Sequence, residues 1–196
     1  FSCFVHPKLL DEERIKLLKF GGCQSAWMGI QTGYEPLRKE VLNRQETNKE
    51  IIDSCLEIKK AGIKLIVDHI FGIPHESELS NDLSEHLYRH IRPDIVNCYH
   101  LLYFPKAGII DHALRSGALT IADVDKINRG EGIIYQQNNK GQKMFDLYAK
   151  TFVAIPLGGI IWELLPMSLI KIINLFRAGR GFTIWACLQN EVFFTY

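Results

Sequence analysis

The chain has 196 residues, of which 47% are hydrophobic and 23% are charged, a composition typical of one soluble globular core or two small domains. Its net charge of +1 gives no electrostatic basis for binding nucleic acid or an anionic membrane surface. The five cysteines are far apart in sequence, which argues against a disulfide framework and favours a reducing compartment, the cytoplasm.

Strand and helix patterns alternate over the first hundred residues. Apolar, β-branched runs bounded by Gly or Pro predict strands, and apolar residues three or four apart behind polar caps predict helices. The predicted elements in chain order are a strand at Ser2 to Val5, a helix opened by Asp11-Glu12-Glu13 and ended by Gly21-Gly22, a strand at Ala26 to Gln31, a helix at Glu35 to Val41, a helix behind a capping box at Thr47 to Glu50, a strand at Lys64 to Phe71, a helix with a stripe of Leu79, Leu83, Leu87 and Ile91, and a strand at Ile95 to Leu102.

This alternation with short links predicts an α/β fold with four parallel strands. Four strands joined by three helical connections cannot close an eight-stranded barrel. We therefore expect a part-barrel, or the second half of one. Because the first residue is Phe1 and a strand pattern starts immediately, we also expect that the chain begins inside a larger protein.

The alternation of strand and helix patterns ends after Ala107. We therefore expect a barrel part over residues 1–107 and a helical extension over residues 108–196. Helices are predicted at Thr120 to Asn128 and at Lys140 to Phe152. The most apolar stretch, Thr151 to Phe176, is interrupted by two prolines and by two charged residues. A buried or surface-lying helix is therefore favoured there over a membrane span.

Polar residues follow two of the predicted strands, where parallel α/β folds bind their ligands. Gln31 and Thr32 come just past one strand end, and their interpretations are ligand hydrogen bonding or a plain turn. Arg44 is either a two-point carboxylate clamp or a solvated charge. Glu76 follows the other strand end, where it either caps the next helix or faces the ligand, with capping slightly favoured.

Two further sets of polar residues allow competing interpretations. Asp68 and His69 are adjacent in a strand, so alternation predicts that one of them points into the barrel. His86 and His90 are four residues apart on one helix and would suit a metal, but no third ligand is obvious and a solvated face is favoured. No catalytic residue and no metal ligand is assigned from these patterns.

Three segments together resemble the radical S-adenosylmethionine superfamily, and most closely its members with a cobalamin-binding domain. They are MGIQTGYEPLRKEVLNR at Met28 to Arg44, AGIKLIVDHIFGIPHE at Ala61 to Glu76, and LYFPKAGIIDHALRSG at Leu102 to Gly117. Their order and spacing match the family's segments at the fourth and fifth strands and after the sixth. The resemblance covers about Phe1 to Ala118 and implies the second half of a partial, six-stranded (β/α)6 TIM-like barrel.

The resemblance also implies roles for individual residues. Gln31 and Thr32 would contact the ribose of S-adenosylmethionine, and Arg44 its carboxylate. The segment from Ile70 to Glu76, with Ile70, Gly72 and Pro74, would back the adenine through main-chain contacts. The sixth strand would line the substrate side of the barrel through Asn97, Tyr99 and His100.

This sequence departs from the family at several positions. Thr32 replaces the usual Ser, His75 replaces a Gly, and Lys106-Ala107 replaces Gly-Thr. The family's C-x-x-x-C-x-x-C loop and its G-G-E segment are absent. The ligands of the [4Fe-4S] cluster would thus lie upstream, in the N-terminal half of the same barrel.

Three functions remain open at this stage. The first is the C-terminal part of a radical S-adenosylmethionine enzyme that acts on an unactivated carbon of a small molecule, with cobalamin in an upstream domain and with no activity of its own. The second is a non-catalytic half-barrel that serves as a binding or scaffold module. The third is an unrelated barrel lyase or hydrolase with a metal at His86 and His90.

Overall fold

A computed structural model describes residues 1–131 and 133–134 of the chain. Strands and helices alternate through the first hundred residues, as the sequence predicts. The elements in chain order are β1 (Ser2–Val5), a 3-10 turn (Pro7–Leu9), α1 (Glu12–Phe20), β2 (Ser25–Gln31), α2 (Glu35–Glu40), α3 (Asn48–Lys60), β3 (Lys64–Phe71), α4 (Glu78–Ile91), β4 (Ile95–His100), β5 (Leu102–Tyr103), α5 (Ile109–Ser116), α6 (Ile121–Asn128) and β6 (Ile133–Ile134).

The first four strands form one parallel sheet in the order β1-β2-β3-β4. Consecutive strands are neighbours, which is the arrangement of a barrel wall built from repeated strand-helix units. The predicted fold class, an α/β part-barrel with four parallel strands, is confirmed. Within the described residues β1 pairs only with β2, so it is an edge strand, and its Phe4 side chain is 79% exposed.

Local sequence signals explain where the helices begin. Asp11 accepts a hydrogen bond from the Arg14 amide and caps α1. Thr47 and Glu50 form the predicted capping box at α3, in which each side chain accepts from the backbone amide of the other residue. These caps satisfy amides that would otherwise lack a partner, so the helices start where the sequence predicts.

The hydrophobic core lies between the sheet and α1, α3 and α4. Every second residue of each strand points toward these helices, in keeping with the period of a strand. The strand residues in this core are Ala26, Met28, Ile30, Leu65, Val67, Phe71, Val96 and Cys98. The alternate residues of β2, β3 and β4 therefore point to the opposite face, which we call the inner face.

The prediction that one apolar stripe on α4 is buried is wrong for the first half of the helix. Leu87 and Ile91 are buried, whereas Leu79 and Leu83 are 60% and 39% exposed. Serines take their place on the buried side, because the helix approaches Gly33 so closely that a methyl group there would lie 2.5 Å from the Cα atom of Ser84. Only small side chains fit at such an approach.

The sheet pattern changes after β4. The predicted strand to Leu102 is interrupted at Leu101, and β5 pairs antiparallel with β6 in a second, two-stranded sheet. A separate core joins this sheet to α5 and α6, and α6 begins at the predicted Thr120 cap. No helix among residues 1–131 is long and apolar enough to cross a membrane. The predicted helix at 140–152 and the apolar stretch at 151–176 lie outside the described residues.

Candidate functional site

Two side chains converge over Gly29 on the inner face at the end of β2. The register of β2 against β3 shifts between Gly29 and Gln31, and Gln31 adopts a left-handed backbone conformation with φ 69°. A methyl group at Gly29 would lie 2.5 Å from Gln31 Nε2 and 3.5 Å from Arg44 Nη1. Gln31 Oε1 is buried and has no hydrogen-bond partner among the described residues. Such an acceptor is suited to a donor on a ligand.

Arg44 is held in place by a buried carboxylate. Its Nε donates to Glu46 Oε1 at 2.5 Å, and His6 Nε2 lies 3.7 Å from the other carboxylate oxygen. Burial alone would raise the pKa of Glu46, but its own backbone amide and the Arg44 guanidinium together hold it below its ordinary value. Arg44 is thus a fixed cation beside Gln31, which is compatible with binding a carboxylate.

Thr32 occupies a different environment from Gln31. Its side chain is buried, its hydroxyl lies 3.3 Å from that of Ser84, and it accepts from the Tyr34 amide. The Thr32 hydroxyl is therefore engaged inside the protein, where it shapes the loop after β2.

Arg38 is the residue that sequence reasoning missed at this end of the barrel. Its side chain is fully buried. Its guanidinium donates to the Thr32 carbonyl at 2.5 Å, to the Glu46 carbonyl at 3.1 and 3.2 Å, and to Asn48 Oδ1 at 2.6 Å. Arg38 thus ties the loop after β2 to the loop before α3. Its spacing on a short polar helix is that of a surface residue, so the sequence carries no signal for this role.

The loop after β3 is closed by Glu76. The Gly72 amide donates to Glu76 Oε2 at 2.6 Å, and Gly72 has φ 81°. Ser77, not Glu76, caps α4, so the slightly favoured capping role for Glu76 is wrong. Glu76 Oε1 is buried and has no partner among the described residues, and burial raises the pKa of Glu76 to about 7. Gly72, Pro74 and Glu76 line a cleft of about 220 Å³ that α5 closes on its other side.

Two of the departures from the family occur at strained backbone positions. His75 and Lys106, each of which stands where the family has Gly, have φ 68° and φ 61°. A left-handed conformation is free for Gly and costs about 1–2 kcal/mol for other residues. The loops therefore keep a conformation typical of glycine although the glycines are absent.

The inner face of β3 and β4 carries a second polar group. Asn97 and Tyr99 alternate with the core residues of β4 and lie on the inner face, where Asn97 Nδ2 donates to Asp68 Oδ1 at 3.0 Å. His100 directly follows Tyr99 in β4 and pairs with Phe71 of β3, which lies in the helix-side core. Alternation places the His100 side chain on the face opposite Tyr99, and the role of all three residues on the substrate side stays a prediction.

Adjacent Asp68 and His69 lie on opposite faces, as the sequence predicts. Asp68 lies on the inner face. His69 is fully buried on the helix side, with Nδ1 2.9 Å from the Tyr88 hydroxyl, and burial lowers its pKa to about 3. His69 is therefore a neutral core residue, and Asp68 is the polar residue that the strand presents to the barrel interior.

The described cysteines do not suit an iron–sulfur cluster. Cys55 and Cys98 lie in the helix-side core, and burial raises the pKa of Cys55 to about 12. Cys3 and Cys23 have sulfurs 3.7 Å apart, with no third thiol in a short loop beside them. No group of three or more metal-ligating side chains occurs among the described residues, and His86 and His90 are exposed.

The fold and the polar strand ends define a class of protein, the parallel α/β part-barrels that bind ligands at the carboxyl ends of their strands. No family model matches the chain. The chain is 27% identical over 107 residues to tRNA-2-methylthio-N(6)-dimethylallyladenosine synthase from Anoxybacillus flavithermus, a match that covers 53% of this chain and 20% of that protein.

Solved structures share the same fold. The radical S-adenosylmethionine enzyme coproporphyrinogen III oxidase from Escherichia coli matches with a TM-score of 0.55 and 17% identity, over 80% of this chain and 32% of that one. The radical S-adenosylmethionine methyltransferase TsrM from Kitasatospora setae, solved with cobalamin and a [4Fe-4S] cluster, matches with a TM-score of 0.50 and 19% identity, over 55% and 22%. The resemblance to the radical S-adenosylmethionine superfamily is confirmed. The chain spans about a fifth to a third of the length of these relatives.

Proposed function

We propose that this chain supplies the second half of the catalytic barrel of a radical S-adenosylmethionine enzyme. The observation that carries the proposal is the convergence of Gln31 and Arg44 over Gly29, beside the loop that Glu76 closes after β3. An unpartnered amide oxygen and a fixed cation meet there at the ends of adjacent strands. The superfamily resemblance and the shared fold support the same conclusion.

In this proposal, the described residues bind and orient S-adenosylmethionine. Gln31 Oε1 accepts a hydrogen bond from a ribose hydroxyl, and Arg44 attracts the carboxylate of the methionine part. Thr32 and Arg38 act indirectly by fixing the loop that carries Gln31. Ile70, Gly72 and Pro74 offer an apolar wall with main-chain groups to the adenine, and Glu76 holds that wall in shape.

The cluster is proposed to lie in another part of the parent protein, because the described thiols do not fit it. When bound, S-adenosylmethionine and the cluster would supply radical chemistry once an external reductant delivers one electron to the cluster. The residues described here would position the nucleoside and exclude water, and the inner face of β4 would line the substrate chamber. The first half of the same barrel would be the main partner of this chain, which alone would be inactive.

We propose that the parent binds cobalamin in an upstream domain. Its reaction would be methyl transfer or other radical chemistry on an unactivated carbon. The support is the structural likeness to a cobalamin-containing methyltransferase, together with the sequence resemblance to cobalamin-type members. The four cysteines among the described residues form no disulfide, which suits a reducing compartment such as the cytoplasm.

The alternative is a scaffold module that has lost cofactor binding. The observation that favours it is the loss of two glycines, at His75 and Lys106, from strand-end loops. The two proposals differ in whether the parent protein binds S-adenosylmethionine through these residues.

The test is calorimetric binding of S-adenosylmethionine to the full-length parent protein and to its Gln31→Gly variant. Gly removes the amide and tolerates φ 69°, so the variant keeps the fold. We expect binding to weaken at least tenfold. Asn43→Gly is the matched control, since Asn43 is exposed and has φ 52°. Unchanged affinity of Gln31→Gly, or no binding by the wild type, would favour the scaffold module.

A further inference from the structure

The inner face of the sheet holds a carboxylate that none of the cofactor contacts uses. Asp68 lies in the middle of β3 and pairs in register with Gly29 on one side and Asn97 on the other. Gly29 has no side chain, and Asn97 is buried and uncharged. Among the three residues in register across β2, β3 and β4, Asp68 is therefore the one with an ionisable side chain.

Two neutral donors from β4 fix the Asp68 carboxylate. Asn97 Nδ2 donates to Oδ1 at 3.0 Å, and the Tyr99 hydroxyl donates to the same carboxyl group. The pKa of Asp68 is raised because burial outweighs these two hydrogen bonds, each of which favours the ionised form. Arg44, whose Nη1 lies over Gly29 beside Asp68, is already paired with Glu46 through its Nε.

Along β3, the neighbours of Asp68 on the inner face are apolar. Ile66 and Ile70 flank it along β3, and Trp27 lies on β2 beside Ile66, with its ring 5.6 Å from that of Phe4. A carboxylate in such surroundings is most stable when a positive group with hydrogen-bond donors pairs with it. The aromatic and aliphatic side chains suit an apolar body attached to that group.

We propose that Asp68, oriented by Asn97 and Tyr99, recognises a protonated amine on a substrate that has an apolar or aromatic body. This inference rests on the proposed function, because it places the substrate in the chamber beside the nucleoside. Asp68 would be a specificity-determining residue, while Asn97 and Tyr99 would be positioning residues that hold its carboxylate toward the chamber.

The test compares two probes of similar shape on the full-length parent protein by calorimetry. One is 2-phenylethylamine, which is a cation at neutral pH, and the other is 3-phenylpropanoate, which is an anion. We expect the wild type to bind the amine at least tenfold more tightly than the acid. Equal binding of the two probes, or no binding of the amine, would overturn the proposal, and neither result depends on a variant.

The second arm uses Asp68→Asn, which keeps the shape of the side chain and removes its charge. We expect affinity for the amine to fall at least tenfold, while Asp53→Asn on the exposed side of α3 leaves it unchanged. An unchanged affinity in Asp68→Asn would contradict the proposal. S-adenosylmethionine binding is measured on the same samples. If it persists in Asp68→Asn, the fold is intact, and if the wild type lacks it, the proposed function fails separately from the amine site.

Discussion

At the scale of single residues, the most informative groups are polar side chains that the sequence pattern places on the surface and the structure buries. Arg38 is such a group, because its hydrogen bonds go to the loop after β2, the loop before α3 and the first residue of α3, which come together only in the fold. Glu76 is another, because its carboxylate bonds to a backbone amide four residues earlier. Neither contact has a periodic signature, so sequence reasoning misses Arg38 altogether and identifies Glu76 without its partner.

Glu76 leads to a prediction about pH. Its pKa of about 7 in the folded chain exceeds the value of about 4.3 for an unperturbed Glu, so the folded state binds more protons between these values. The contribution of Glu76 to stability is therefore full below about pH 4 and is lost as the pH rises through 7. Glu76→Gln should gain stability relative to the wild type as the pH rises from 5 to 8.

The measurement is the free energy of unfolding in urea at several pH values for both proteins. Because the other titrating groups are shared, the difference between the two curves isolates Glu76. A difference that stays constant from pH 5 to 8 would show that Glu76 titrates normally in the folded chain.

At the scale of elements, α4 shows how a neighbouring loop overrides an apolar pattern. The spacing of its four apolar residues predicts one buried stripe, but the close approach at Gly33 turns Ser80 and Ser84 inward and leaves Leu79 and Leu83 exposed. The sequence predicts that α4 exists and where it lies, since these depend on local caps and on the spacing of its apolar residues. The rotation of the helix depends on a distant glycine, which a period cannot reveal.

The two ends of α4 should therefore respond differently to truncation. Leu87→Ala should cost about 2–5 kcal/mol because Leu87 is buried in the helix-side core, whereas Leu79→Ala should cost about 0.5 kcal/mol or less. Urea unfolding of both variants provides the comparison, and each serves as the control for the other. Equal costs would mean that the predicted stripe describes the packing better than the structure does.

At the scale of the whole molecule, the alternation of strands and helices was predictable because each strand is a separate apolar run with its own terminating Gly or Pro. The parallel order follows from that alternation through general rules of connection. The second sheet of β5 and β6 was not predictable, since its two-residue strands are too short for any periodic signal. The division at residue 107 stays a prediction.

The sheet order predicts which backbone amides are best protected. Strands β2 and β3 have a neighbour on both sides, whereas β1 and β4 are outermost among the described strands. In native-state hydrogen exchange, amides in Ala26–Ile30 and Leu65–Phe71 should exchange at least tenfold more slowly than those in Ser2–Val5. Comparable exchange in β1 would mean that its outer edge is also paired.

Among the described residues no strand pairs with the outer edge of β1, which has a practical consequence for handling the protein. Its four residues, Ser-Cys-Phe-Val, contain none of the charges or prolines that usually prevent unwanted strand pairing, and Phe4 projects from the strand. An uncovered edge of this kind recruits identical edges from other copies. We therefore expect the isolated chain to aggregate with increasing concentration, and we expect the first half of the barrel, supplied on a separate chain, to act as a solubilising chaperone.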